Sequence, residues 1–237
     1  MNRLLVILIL LFPIISFNGC EEDELDKPTN VRLKVSMEEL ELSEEKTLKA
    51  GKPMQIDNGR MVIESIEFDG TRENAKDYYF SESFENGLIG DLGQNKLNLD
   101  VTFDIPQGVY HPAEITLNLQ PVDTPHSFTL RGTYNMPPIE ETQLEFAFFE
   151  NRESITLKVQ NTNGNKKVLF KKGETKTLNI EVNLNQLFAR FNPGSLNNAN
   201  VTQEGNTRKI IVAPDQNEAL YDKLVDRIDK SMRAVLK

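Results

Sequence analysis

The chain has 237 residues and a formal net charge of −9, with a single cysteine and no tryptophan. A nucleic-acid surface needs clustered Lys and Arg, and the only dense basic cluster, four lysines between positions 166 and 172, brackets an apolar run, so we expect no nucleic-acid partner. One cysteine cannot form a disulfide within the chain, so its stability must come from a hydrophobic core, for which this length suffices.

The first elements are a basic start at Arg3 and an unbroken apolar run over residues 4–12. Because a membrane span needs about 20 apolar residues, the pattern predicts a cleaved signal peptide over residues 1–19. The sequence Phe17-Asn18-Gly19-Cys20 resembles the lipobox of bacterial lipoproteins. That resemblance implies that Cys20 is lipidated and becomes the mature N-terminus. A free thiol in an ordinary secreted protein is the alternative.

An acidic run, Glu21, Glu22, Asp23 and Glu24, follows the cysteine directly. Such a run repels itself and buries nothing, so residues 20–30 are predicted to form an extended tether. The run resembles the acidic export signal of surface lipoproteins of the Bacteroidetes kind. The resemblance implies an outer-membrane location facing the cell exterior, with the lipid anchor as the contact to the membrane. A solvated linker without a targeting role is the alternative.

Apolar residues at every second position predict strands through most of the remaining chain. The longest such face comprises Leu97, Leu99, Val101, Phe103 and Ile105. The next run, 115–119, follows a break at residues 106–108, and the two are predicted to be neighbouring antiparallel strands. Similar runs occupy residues 31–37, 66–68, 128–130, 144–148, 155–159 and 178–184. Short strands at this spacing predict a mainly β protein, an antiparallel β-sandwich that is Ig-like or similar.

Four glycine-containing pairs favour turns between these strands: Asp69-Gly70, Asn86-Gly87, Asn163-Gly164 and Lys172-Gly173. Pro137-Pro138 marks a longer break, where the chain could divide into two sandwiches. A single domain over residues 31–237 is preferred, because each half offers barely enough strands for two sheets of its own.

The segment between residues 72 and 93 is the least strand-like long piece of the β region. A loop of this length is often functional, and exposed aromatic rings can stack on sugars or anchor a protein. We therefore predict ligand binding at Tyr78, Tyr79 and Phe84, with Tyr78 pointing outward. The alternative is that these aromatic residues cover the end of the sandwich or form another strand.

The C-terminal part departs from the β pattern. Apolar residues from Ala219 to Leu236 follow helical spacing, and Asp215 with Glu218 resembles a capping box. The pattern predicts one amphipathic helix over residues 215–236. Its apolar stripe is expected to dock on the sandwich, although a partner-binding face is the alternative.

Catalytic motifs are not evident. The sequence contains no G-x-S-x-G element and no glycine-rich phosphate loop, and its one cysteine is assigned to the lipid. His111 and His126 are the only histidines, both lie beside prolines, and two such ligands alone make a poor metal site. We therefore expect no catalytic residues, no bound metal and no cofactor, and a protein that is not an enzyme.

Two further motifs, I-E-S-I-E-F at residues 63–68 and I-P-x-G-x-Y at residues 105–110, precede the C-terminal strand-then-helix unit. Together they resemble β-sandwich lipoproteins of the Bacteroidetes kind, and the resemblance carries no catalytic residues. The expected function is a surface binding module for a glycan or an envelope protein. A structural component of an envelope complex and an enzyme without a recognisable motif remain the alternatives.

Overall fold

The computed structural model describes residues 28–41, 53–137 and 139–237. Cys20 and the acidic run Glu21–Glu24 lie outside the described residues. The strands are β1 Pro28–Glu38, β2 Met54–Arg72, β3 Tyr78–Asp91, β4 Lys96–Leu97, β5 Thr102–Pro106, β6 Gly108–Leu119, β7 Phe128–Met136, β8 Ile139–Phe148, β9 Glu153–Asn161, β10 Val168–Phe170, β11 Thr175–Asn183, β12 Val201–Glu204, β13 Thr207–Val212 and β14 Met232–Leu236. The helices are α1 Leu184–Leu187, α2 Glu218–Val225 and α3 Ile228–Ser231, with a 3-10 helix at Pro193–Asn198.

The strands form one mixed sheet in the order β12-β13-β8-β7-β2-β6-β9-β14-β11-β1-β5, to which β3, β4 and β10 add as branches. The predicted mainly β class is confirmed. The pairs β1–β11, β13–β8 and β14–β9 are parallel, however, and the sheet curls into a half-barrel instead of separating clearly into two antiparallel layers.

Strand β2 is long enough to pair with two different strands along one of its edges. Ile63 pairs with Leu88 of β3 on one edge and with Leu119 of β6 on the other. Arg60 likewise has β3 on one edge, but β7 on the other. Strands β6 and β7 therefore lie end to end along the same edge of β2. We call β3, β2, β6 and β9 the β6 arm, and the first half of β2 with β7, β8 and β13 the β7 arm.

Among the described residues, the concave side of the sheet holds a hydrophobic cluster that includes residues from both halves of the chain. Ile115 and Leu117 of β6 and Phe146 of β8 are fully buried within it, as the alternation predicted. Each such side chain contributes about 1.5–3 kcal/mol by leaving water. The break at Pro137 is the turn between β7 and β8, which pair with each other from Phe128–Phe148 to Met136–Ile139.

Two of the four predicted turns are wrong. Gly70 lies inside β2, where a Cβ atom would stand 2.5 Å from Cδ1 of Tyr110. Because glycine has no Cβ atom, it leaves room for that buried ring to lie close to the strand. Gly87 lies within β3, with a φ of +70° where the register with β2 shifts. Gly164 and Gly173 are turn residues as predicted, with φ of +78° and +72°.

The apolar face from Leu97 to Ile105 is divided between two strands. Leu97 ends β4, whereas Phe103 and Ile105 belong to β5. Leu99 lies between them and is 52% exposed. Strand β5 pairs with β1 and not with β6, so the predicted hairpin of residues 97–105 with residues 115–119 is wrong.

The predicted helix over residues 215–236 is shorter and interrupted. Asn217, not Asp215, is the residue that precedes α2, and its side chain bonds to the backbone of Asn200 and Ile211. The stripe residues Leu220 and Leu224 belong to the hydrophobic cluster, so the expected docking of the stripe is confirmed for this part. The last apolar residues instead form β14, between β9 and β11.

Candidate functional site

The predicted loop over residues 72–93 is largely strand β3, as one alternative held. Tyr78 does not point outward. Its ring is half-buried, 6.4 Å from Phe68 and 6.2 Å from Phe80, and its hydroxyl donates to the backbone oxygen of Asp104 at 3.0 Å. Burial and the negative charge of Asp104 raise the pKa of Tyr78, so the phenol stays a neutral hydrogen-bond donor.

Tyr79 is the aromatic residue that faces solvent, because neighbouring side chains of a strand point to opposite faces. It is 59% exposed, and its hydroxyl donates to Oε2 of Glu67 at 3.2 Å. Phe84 is half-buried against the core and lines a separate hollow of about 240 Å³ with Glu64 and Ser83. The three predicted ligand-binding residues are thus not in one loop, and only Tyr79 offers an open ring face.

A chain of hydrogen bonds runs from Tyr79 across the convex side of the β6 arm. Glu67 accepts from Nδ2 of Asn118 at 2.8 Å, and the same nitrogen lies 3.0 Å from Oγ of Ser65. Oδ1 of Asn118 accepts from Oγ of Ser154 at 2.6 Å. We call Tyr79, Glu67, Ser65, Asn118 and Ser154 the polar face.

Strand register places these side chains together. Ser65 of β2 is the partner of Asn118 of β6, and Asn118 is the partner of Ser154 of β9. Two residues further along β6 and β9, on the same face, the hydroxyls of Thr116 and Thr156 are 2.9 Å apart. Since each side chain is held by a neighbour on the next strand, the polar face presents fixed donors and acceptors on a rigid support.

The sequence predicts Tyr79 as a site residue but does not indicate Glu67, Asn118 or Ser154. Each occupies the polar position of an alternating strand, where a solvent-facing side chain is the ordinary expectation. The pairing of β2 with β6 and of β6 with β9 brings them together, and the local sequence does not specify that pairing.

The β7 arm carries a separate surface hollow with a volume of about 400 Å³. At its centre Glu145 of β8 accepts from Nε of Arg131 at 3.0 Å and pairs with Nζ of Lys209 at 3.1 Å. Burial alone would raise the pKa of Glu145, but hydrogen bonds and charge from Lys209 and Arg131 outweigh it and hold the pKa below its usual value. The Glu145 carboxylate is therefore ionised at neutral pH.

The two histidines lie at different elements. His111 is exposed within β6, and His126 has its Nε2 atom 3.4 Å from Oε1 of Glu150. Across residues 28–41, 53–137 and 139–237, no three His, Cys, Asp or Glu side chains are grouped so as to hold a metal ion. Within the same ranges, no helix has the length and apolar character needed to cross a bilayer.

Comparison with known proteins gives no match to a family model, a curated protein or a solved structure.

Proposed function

We propose that the protein is a lipid-anchored, surface-exposed, non-catalytic binding module, and that its polar face binds a glycan. The observation that carries this proposal is the solvent-facing ring of Tyr79 at the end of a fixed hydrogen-bond chain. A sugar ring has an apolar face of C–H groups and an edge of hydroxyls, so it needs an aromatic surface beside polar groups that both donate and accept.

The polar face meets both needs. The Tyr79 ring supplies the apolar surface, whereas Glu67 and Oδ1 of Asn118 supply acceptors, and the Ser65 hydroxyl, which accepts from Asn118, can donate its own hydrogen. Charge-assisted hydrogen bonds to Glu67 are stronger than those between neutral groups. The strands of the β6 arm offer an open surface and not a deep cleft, which suits a stretch of polysaccharide better than a small enclosed molecule.

Replacing Tyr79 with Ala is expected to weaken glycan binding by at least about 1 kcal/mol, roughly fivefold in Kd. Because the side chain is exposed, unfolding free energy should change by no more than about 0.5 kcal/mol. A glycan array would identify the ligand, and isothermal titration with purified variants would measure the affinity. Tyr79→Phe keeps the ring and should retain most of the binding.

The matched control is Tyr78→Ala, on the opposite side of the same strand. It removes a half-buried ring and the bond to Asp104, so it should lower the melting temperature while the folded fraction keeps its affinity. If Tyr79→Ala bound the array's best glycan as tightly as the wild type, the polar face would not be the glycan site. Capture of a single envelope protein that depends on Tyr79 would favour the protein ligand instead.

Replacing Cys20 with Ala is expected to release the protein from the membrane fraction, because the lipid attached to that sulfur is the proposed anchor. Metabolic labelling with a fatty-acid analogue should mark the wild type and not the variant. Equal labelling of wild type and Cys20→Ala would disprove the lipidation assignment.

Replacing Glu21–Glu24 with Ser tests surface display separately. Lipid labelling should persist, while accessibility of the protein to protease added to intact cells should fall.

A further inference from the structure

The hollow of the β7 arm, here called the saddle, contains groups that the polar face does not use. Its walls come from the first half of β2 and from β7, β8 and β13. The residues that matter for ligand chemistry are Asp57, Arg131, Thr133, Gln143, Glu145 and Lys209. A volume of about 400 Å³ falls within the range of sites that bind small molecules.

Positive charge in the saddle is concentrated around one oxygen. Arg131 and Lys209 both contact Oε2 of Glu145, so these three side chains together carry one net positive charge, whereas the carboxylate of Asp57 on β2 brings the saddle as a whole to zero. The chain as a whole is strongly acidic. At physiological salt, charges more than about 8 Å away are largely screened, so these nearby groups dominate the field that a bound ligand meets.

Donors are also in excess at this centre. Arg131 is 59% exposed and contacts Glu145 through Nε. Within the described residues, its two Nη groups make no hydrogen bond, so four N–H donors in a planar fork remain for a ligand. Lys209 adds further N–H donors beside them. A planar or tetrahedral oxyanion is the acceptor that matches such a fork.

The rest of the saddle is polar, and among the described residues its one charged side chain is the carboxylate of Asp57. Thr133 and Gln143 are partners in the β7–β8 register, and they offer a hydroxyl and an amide. Asp57 lies at the bulge of β2 and accepts from the Gln55 amide. These groups can donate to and accept from hydroxyls, so the saddle joins one oxyanion position to several hydroxyl positions.

We propose that the saddle binds an acidic sugar residue, with its oxyanion at Arg131 and Lys209 and its hydroxyls toward Thr133, Gln143 and Asp57. The ligand class rests on the proposed glycan-binding function, but the residues are independent of the polar face. The shared chemistry is an oxyanion on a sugar, which a uronic acid carries as a carboxylate and a sulfated sugar as a sulfate.

The first experiment compares galacturonic acid, galactose and galactose 6-sulfate by titration calorimetry at 150 mM salt. Galacturonic acid should bind at least about tenfold more tightly than galactose, because the charged pairing adds hydrogen bonds that galactose cannot form. If galactose 6-sulfate also exceeds galactose, the site accepts both oxyanions, and if it does not, the site is a carboxylate site. Equal binding of galacturonic acid and galactose would overturn the proposal.

The second experiment uses variants with opposite expected signs. Lys209→Met and Arg131→Gln should lower galacturonic acid affinity toward that of galactose, whereas Arg131→Lys should lose part of it. Glu145→Gln removes the competing carboxylate, so it should tighten galacturonic acid binding by at least about threefold. A purely structural role for this cluster predicts no such gain, and a Glu145→Gln variant that folds but binds more weakly would contradict the proposal.

Variants at the two surfaces separate this proposal from the previous one. Tyr79→Ala should leave galacturonic acid binding at the saddle unchanged, whereas Lys209→Met should leave binding of a neutral glycan at the polar face unchanged. If both variants still bind the neutral glycan, the polar face is rejected as a site and the saddle is not. Galacturonic acid binding that depends on Tyr79 and not on Lys209 would reject the saddle alone.

Discussion

Ending the chain after Ser231 is expected to prevent folding. The deleted residues form β14, which lies inside the sheet with β11 on one edge and β9 on the other. Met232, Val235 and Leu236 are buried, and burial of such side chains contributes about 1.5–3 kcal/mol each. That sum approaches the whole stability of a typical domain, about 5–15 kcal/mol, before the lost sheet hydrogen bonds are counted.

The measurement is expression and far-ultraviolet circular dichroism of the truncated chain, which should be insoluble or lack a cooperative melt. Lys237→Ala is the matched control. It removes the exposed ion pair with Glu181 but keeps the backbone of the last strand, and such pairs contribute about 0–1 kcal/mol. A truncated protein with a normal melting temperature would mean that β11 and β9 can close on each other without β14.

The position of β14 also shows what the sequence cannot specify. Met232, Val235 and Leu236 fit the helical pattern begun by Leu220, and a short apolar run suits a buried strand equally well. Tertiary pairing decides between them. β11 runs antiparallel to β14 and β9 runs parallel to it, so β14 fills a gap between two strands whose paired residues are at least 50 positions away from it in sequence.

Strand identity was largely predictable, but strand partners were not. The alternating residues of β6 and β9 gave both strands and their buried faces correctly. The sequence wrongly predicts a turn at Gly70 because glycine relieves two different constraints, a positive φ and a close contact, and the position of the Tyr110 ring shows that the close contact applies.

The candidate sites follow the same division. The sequence predicts that Tyr79 belongs to the site, but not that its ring is the one that faces solvent, because the register of a strand decides which side chains point outward. In the saddle, Arg131 and Glu145 are partners across β7 and β8, whereas Lys209 arrives on the parallel strand β13. No local pattern signals that third residue.

Replacing Val101 with Asp is expected to unfold the protein or cost at least several kcal/mol. Val101 is 5% exposed within the hydrophobic cluster, and its backbone oxygen accepts from the nitrogen of Leu33 at 2.9 Å, so the segment is held in place. A carboxylate at this position would be buried without a partner, which costs about 3–5 kcal/mol in comparable cases.

Thr102→Asp is the matched control, one residue along on the exposed face of β5. Its cross-strand partner is Arg32, an opposite charge, so the change should stay within about 0.5–1 kcal/mol. Burial raises the pKa of the carboxyl introduced at position 101 above its unfolded value, so the penalty should grow as pH rises through about 4 and shrink below it. Thermal melts of both variants at pH 4 and pH 7 measure this directly. Coincident melts would show that Val101 does not face the core, whereas an equal loss at both pH values would show that the loss comes from packing and not from the buried charge.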